Sequence, residues 1–116
     1  MSELFIYHNP RCSKSRQTLA LLEEQGVKPE VIEYLKTPPS VASLRAIIGQ
    51  LGISARQLLR KGEAEYKDLN LADESLSEQQ LIQAMCEYPK LMERPIVTYN
   101  GKAKIGRPPE SVLEIL

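Results

Sequence analysis

One of the two cysteines in this 116-residue sequence, Cys12, stands in a run of positive charge. Arg11, Lys14 and Arg16 lie within four residues of it, and no acidic residue occurs between Glu3 and Glu23. Cations beside a thiol favour its ionised form, so the pKa of Cys12 is expected to fall below that of a free cysteine. His8, if protonated, adds to the same potential. Ser13 and Ser15 supply hydroxyl donors for the sulfur or for a bound oxyanion. The chemistry that fits is nucleophilic attack by a thiolate.

Spacing narrows the kind of nucleophile. A Cys-x-x-Cys redox pair needs cysteine at position 15, which holds Ser15, and a phosphatase-type Cys-x5-Arg loop needs arginine at position 18, which holds Thr18. Cys86 is far along the chain in an acidic segment and reads as an ordinary core or surface residue. With no neighbouring resolving thiol, an intermediate on Cys12 must be discharged by an external thiol such as glutathione. Two cysteines and the single histidine, His8, are too few for a disulfide scaffold or a four-ligand metal site. No metal and no bound cofactor are expected.

Composition is that of an ordinary soluble globular domain. Apolar residues make up 42% and charged residues 26%, with 15 basic against 15 acidic groups. That balance argues against a nucleic-acid binder driven by bulk charge. Along the chain the charges separate: residues 37–62 hold four basic and no acidic groups, whereas residues 63–87 hold seven acidic and one basic. The first residues lack a basic and then apolar leader, and no apolar run approaches the ~20 residues that span a bilayer. A cytoplasmic, reducing location without membrane contact is expected.

The elements that must position Cys12 follow from periodicity and punctuation. Leu4–Tyr7 reads as a strand, closed by His8-Asn9-Pro10, and a helix follows from about Ser13 to Gln25. Cys12 therefore sits where a strand feeds a helix N-terminus, among free backbone N–H groups at the positive end of the macrodipole. Val31–Leu35 reads as a second strand. Ser40 caps a helix bearing Leu44, Ile47, Ile48 and Leu51, and Ser54 caps a shorter one with Leu58 and Leu59. Ser77-Glu78-Gln79-Gln80 has the form of a capping box. Pro95–Tyr99, Asn100-Gly101 and Lys102–Ile105 make a hairpin with a type I′ turn, and Pro108-Pro109 opens a final helix.

The order β-α-β, helical block, β-β-α predicts a single domain over residues 1–116, an α/β thioredoxin-like sandwich on a four-stranded mixed sheet. The helices at about 40–88 form an insertion between its halves. In such a fold the proline entering the third strand, here Pro95, is a cis candidate facing the cysteine loop, which brings Arg94 with it.

Three separated segments carry a family likeness. His8-Asn9-Pro10-Arg11-Cys12-Ser13-Lys14-Ser15-Arg16 closely resembles the active-site loop of the glutaredoxin-coupled arsenate reductase (ArsC) family. Arg94-Pro95-Ile96-Val97 and Gly106-Arg107-Pro108 resemble its two later signatures, in the form of the YfgD-type branch. The resemblance implies Cys12 as nucleophile, Arg60, Arg94 and Arg107 as an oxyanion-binding trio, and His8 and Ser15 as its thiolate-tuning pair. Asn9, Arg11 and Arg16 complete the matching loop. It further implies arsenate or a similar oxyanion as substrate, with glutathione as reducing co-substrate and glutaredoxin as partner. Ser13-Lys14 departs from the small residues, typically Gly-Thr, that follow the cysteine in the family, and it adds a cation to the loop.

Other readings remain open on sequence. A thiol oxidoreductase of the same fold acting on another substrate shares every feature named. A Spx-like regulator that binds RNA polymerase shares the fold, although many carry the Cys-x-x-Cys that Ser15 removes. Ile48–Arg60, with Gly52 in a turn and Ser54 as a cap, also resembles a helix-turn-helix.

Overall fold

The first strand forms as β1, Phe5–Tyr7, in the computed structural model of the chain, which describes residues 4–116. Two units divide the chain: the part up to Thr37 together with Arg94–Leu116, and Pro38–Glu93.

The first unit holds the sheet. Helix α1, Ser13–Glu24, connects β1 to β2, Glu30–Ile32, which pairs parallel to it with Phe5 opposite Glu30. Strand β3, Ile96–Tyr99, lies antiparallel on the other side of β1, with Ile6 opposite Val97, and β4, Lys102–Ile105, follows antiparallel to β3. The sheet order is thus β2-β1-β3-β4, the mixed thioredoxin-like arrangement expected. The hairpin turn is of the primed kind, because Asn100 and Gly101 both adopt positive φ, 50° and 77°. Leu4 and Ile6 of the first strand region, Leu22 of α1, Val97, Val112 and Ile115 form one buried cluster. Burying a side chain of this size contributes about 1.5–3 kcal/mol, so this cluster supplies much of what holds α1 to the sheet.

Two elements differ from the sequence expectation. Strand β2 ends at Ile32 rather than Leu35, because Glu33–Lys36 turns back on itself: the Glu33 carbonyl accepts from the N–H of Lys36 at 3.0 Å and of Thr37 at 2.9 Å. The last helix, Pro109–Ile115, is 3-10 rather than α, entered through i to i+3 bonds such as Ser111 N–H to Pro108 O, 3.0 Å. Pro108 and Pro109 hold the N-cap and first helical positions, whose N–H groups any helix leaves unpaired, so they start the element without setting its type.

The second unit is helical. Helix α2, Val41–Leu51, is capped by Ser40, whose hydroxyl accepts from the Ser43 N–H, and buries Leu44, Ile47 and Ile48. Helix α3, Ala55–Leu58, opens on a capping box between Ser54 and Gln57, and α5, Glu78–Glu87, on the predicted one between Ser77 and Gln80. A short α4, Ala64–Asp68, buries none of its residues and so left no apolar period to read. The helix-turn-helix reading does not fit these elements. Helix α3 is one turn long with Ala55 and Leu58 buried. The basic side chains nearby are engaged within the unit: Arg45 donates to Gln79 Oε1 at 2.7 Å, and Arg56 donates to the carbonyls of Leu71 and Asp73. No helix among the described residues is long and apolar enough to cross a membrane.

Candidate active site

Past Tyr7 the β1 ladder runs one residue further, through the His8 N–H to the Ile32 carbonyl at 2.8 Å, and the chain then turns. Asn9 organises that turn with three bonds. Its N–H donates to Ser15 Oγ, its carbonyl accepts from the Cys12 N–H, and its Oδ1 accepts from the Arg11 N–H, all at 3.0 Å. Arg16 closes the outside of the loop by donating from Nη1 to the Pro10 carbonyl at 3.0 Å. Cys12 emerges in extended conformation, φ −92° and ψ 123°, as the N-cap residue of α1. This position suits it because the helix turns its unpaired N–H groups toward the N-cap side chain.

The half-buried thiol of Cys12 is held below its ordinary pKa. Burial opposes ionisation and is the largest single influence, but the backbone N–H of Ser15, the Arg94 guanidinium and the backbone N–H of Lys14 together outweigh it. The remaining thiol, Cys86 in α5, goes the other way: burial and the neighbouring Glu87 push it up. The two thiols are thus shifted in opposite directions, Cys12 down by donors and a guanidinium, Cys86 up by burial and then by Glu87.

His8 and Ser15 lie beneath the loop, 7% and 0% exposed. His8 Nδ1 and Ser15 Oγ are 2.7 Å apart. Burial holds the imidazole pKa down, with Glu33 pulling it up and Arg16 pushing it further down, so the ring is neutral at neutral pH. The charge that a protonated His8 would have lent the thiolate is therefore absent. The His8 Nδ1–Ser15 Oγ bond takes its direction from the imidazole tautomer, and Ser15 Oγ also accepts from the Asn9 N–H. His8 thus acts on the loop through Ser15, whose backbone N–H faces the sulfur.

Arg94 and Arg107 reach the same place from just before β3 and just after β4, since Tyr7 at the end of β1 pairs with Ile96, and Ile96 with Ile105. Each precedes a proline in a cis peptide bond, Arg94–Pro95 and Arg107–Pro108; the second isomer was not expected from sequence. Arg107 donates from Nε to the Arg94 carbonyl at 2.9 Å and turns Nη2 toward Cys12 Sγ at 4.0 Å. Arg94 Nε is buried without a hydrogen-bond partner among the described residues. A buried guanidinium donor left unpaired costs free energy unless an acceptor arrives, and an anion is the acceptor this site invites.

Gly106 stands in the last of the sequence signatures, but the packing that demands a glycine there was not read from it. Its N–H donates to the Pro95 carbonyl at 2.9 Å, and a Cβ at this position would stand 2.5 Å from Thr18 Oγ1 and 2.9 Å from Pro95 Cγ. Thr18 is fully buried and donates its hydroxyl to the Lys14 carbonyl at 2.8 Å. The absent side chain thus lets the Arg107 segment lie flush against both Pro95 and the first turns of α1. Nothing near Gly106 in sequence points to Thr18.

Arg60 belongs to the second unit. Its N–H donates to the Leu91 carbonyl at 2.7 Å, its Nε lies 3.4 Å from Glu63 Oε2, and its Nη1 is buried without a hydrogen-bond partner among the described residues. No group of three or more His, Cys, Asp or Glu side chains able to hold a metal ion occurs among the described residues.

Comparison with known proteins places this arrangement in context. A profile of the ArsC family matches residues 7–115. The protein YfgD of Escherichia coli strain K12 is 67% identical over 112 residues, covering 96% of this chain and 94% of its own. An arsenate reductase of Haemophilus influenzae is 53% identical, with 97% of this chain and 98% of the relative covered. Among solved structures, an arsenate reductase from Vibrio cholerae superposes with a TM-score of 0.95 at 59% identity, covering 97% of each chain.

Proposed function

The chain belongs to the ArsC family, and from that premise we propose that it reduces arsenate to arsenite through Cys12, with glutathione and glutaredoxin as the external thiols. The observation that carries the reading is the convergence on one sulfur of helix N–H groups, Arg94 and Arg107, with a buried Arg94 donor unpaired.

The Cys12 thiolate attacks arsenic, an oxygen leaves as water after taking up protons from solvent, and an arsenic(V)–cysteine adduct results. Arg94 and Arg107 spread the charge of the bound oxyanion over planar, forked donors, a task that guanidinium geometry suits better than an ammonium. Arg60 is proposed as the third of these cations, on the family resemblance. Glutathione then supplies the second thiol. The two electrons that take arsenic(V) to arsenic(III) come from the two sulfurs, which end joined as a disulfide while arsenite departs. Glutaredoxin reduces that disulfide and returns Cys12 to the thiol. His8 and Ser15 take no proton from substrate in this scheme; they hold the loop whose N–H groups favour the thiolate.

The test couples purified protein, glutathione and glutaredoxin to NADPH oxidation. Arsenate-dependent turnover is expected in the wild type and none in Cys12→Ser. Arg94→Ala and Arg107→Ala are expected to lose roughly 30- to 1000-fold in kcat/KM, the scale for removing one donor to developing charge. Equal rates for wild type and Cys12→Ser rule out the nucleophile, and thiol turnover with no response to arsenate rules out the substrate.

A further inference from the structure

Ser15, Thr18 and Leu22 form the buried stripe of α1. The Thr18 hydroxyl donates to the Lys14 carbonyl, four residues back, at 2.8 Å. A threonine inside a helix always has that carbonyl within reach, but at an exposed position water competes for the hydroxyl. Thr18 is fully buried, so solvent does not compete. Its side chain is also fixed in direction. A Cβ at Gly106 would stand 2.5 Å from Thr18 Oγ1 and 3.1 Å from Cγ2, so the bare Gly106 backbone packs against both branches. A β-branched residue hemmed in on both branches keeps one χ1.

The peptide group that receives this bond gives it a consequence. The Lys14 carbonyl and the Ser15 N–H belong to one planar amide. Its oxygen end takes the Thr18 hydroxyl, and its N–H end faces the Cys12 sulfur, foremost among the groups that favour the thiolate. A bond accepted at the oxygen of an amide draws electron density from its nitrogen and makes the N–H a stronger donor. We propose that Thr18 is a positioning residue for the nucleophile, its hydroxyl orienting and polarising the Lys14–Ser15 peptide whose N–H faces Cys12. The inference rests on the reading of Cys12 as nucleophile and adds a group that acts on the sulfur without touching it. From other elements, the charged groups at the sulfur are Arg94 and Arg107, and His8 beneath the loop is neutral. Of the cations in its own loop and helix, Lys14 lines a cleft with Pro108, Arg16 donates to the Pro10 carbonyl, and Arg11 is exposed. Thr18 adds no charge to this set; it strengthens a neutral donor within it.

Iodoacetamide alkylation of Cys12 in the full-length protein, followed across pH by mass spectrometry, reads the effect. Thr18→Ala and Thr18→Val both lose the hydroxyl, one by shrinking the side chain and the other by keeping its branched shape. Both are expected to raise the pH at which alkylation reaches half its limiting rate. The thiolate-to-thiol ratio at neutral pH is expected to fall about 1.5- to 4-fold, which corresponds to roughly 10–30% of a hydrogen bond to a charged group. Thr18→Ser keeps the hydroxyl and is expected to retain the wild-type profile. At high pH, where every variant is a thiolate, the rates converge, which a merely loosened loop would not produce. The kcat/KM for arsenate follows the same pattern, its deficit against wild type closing as pH rises. A Thr18→Ala or Thr18→Val profile that overlays wild type, a Thr18→Ser profile displaced as far as theirs, or a rate changed by one factor at every pH overturns the proposal. Alkylation needs no arsenate. A shifted profile in a protein that ignores arsenate keeps the role of Thr18 and loses the substrate reading; arsenate turnover with an unshifted profile does the reverse.

Discussion

Replacing Gly106 by alanine tests whether the two arginine-bearing segments depend on one close approach. The new methyl group would begin 2.5 Å from Thr18 Oγ1, 2.9 Å from Pro95 Cγ and 3.1 Å from Thr18 Cγ2. None of these is the free end of a long side chain. Rotating Thr18 away breaks its bond to the Lys14 carbonyl, worth about 0.5–1.5 kcal/mol, and moving Pro95 strains the Gly106 N–H bond to its carbonyl. Overpacking of this kind costs about 1–3 kcal/mol. For a chain of this length each kcal/mol lowers Tm by about 4 °C, so a fall of roughly 4–12 °C is expected in thermal unfolding. Activity is expected to fall as well, because the shifted segment carries Arg107 and, through its bond to the Arg94 carbonyl, the Arg94 segment too. The double variant Gly106→Ala/Thr18→Ala removes the tightest contact, and a double-mutant cycle is expected to give a favourable coupling of about 1 kcal/mol. A Gly106→Ala protein that melts within about 2 °C of wild type, or a strictly additive cycle, refutes the reasoning.

Alkylation should separate the two thiols: Cys12 is expected to react at neutral pH well before Cys86, and Arg94→Gln to move the Cys12 profile toward that of an ordinary thiol, read by mass spectrometry across pH. Ser15→Ala removes the partner of the part-buried Asn9 N–H and of the buried His8 Nδ1 together and is expected to cost about 1–3 kcal/mol in denaturant unfolding. His8 sets a pH dependence of stability. Because folding disfavours the protonated ring, the unfolded chain binds more protons below about pH 6.5, and stability falls as pH drops through that value. His8→Asn, which does not titrate there, is expected to show a flatter Tm between about pH 7 and 5.

Local signals in the sequence were sufficient where chain neighbours do the work. Asn100-Gly101 demanded a primed turn, and Ser40, Ser54 and Ser77 started helices because a hydroxyl one residue ahead of an apolar period satisfies an orphan N–H. Cys12 was legible for the same reason, since the groups that tune it include the N–H groups two and three residues on. The features that escaped depend on distant partners. The neutrality of His8 follows from burial, which a strand-end histidine does not reveal. Likewise the requirement for glycine at position 106 comes from Thr18 and Pro95.

The sheet also has two outer margins, and they are unequal. Strand β2 is three residues long, and β4 carries Lys102 and Lys104, the latter 3.0 Å from Glu114. A flat row of free amides on either side would invite another copy to add its own strand and propagate. One margin is too brief to template such growth, and the other carries lysines, which disfavour pairing of one edge with another. Neither margin offers the long, flat, uncharged row of amides that adding a further strand requires.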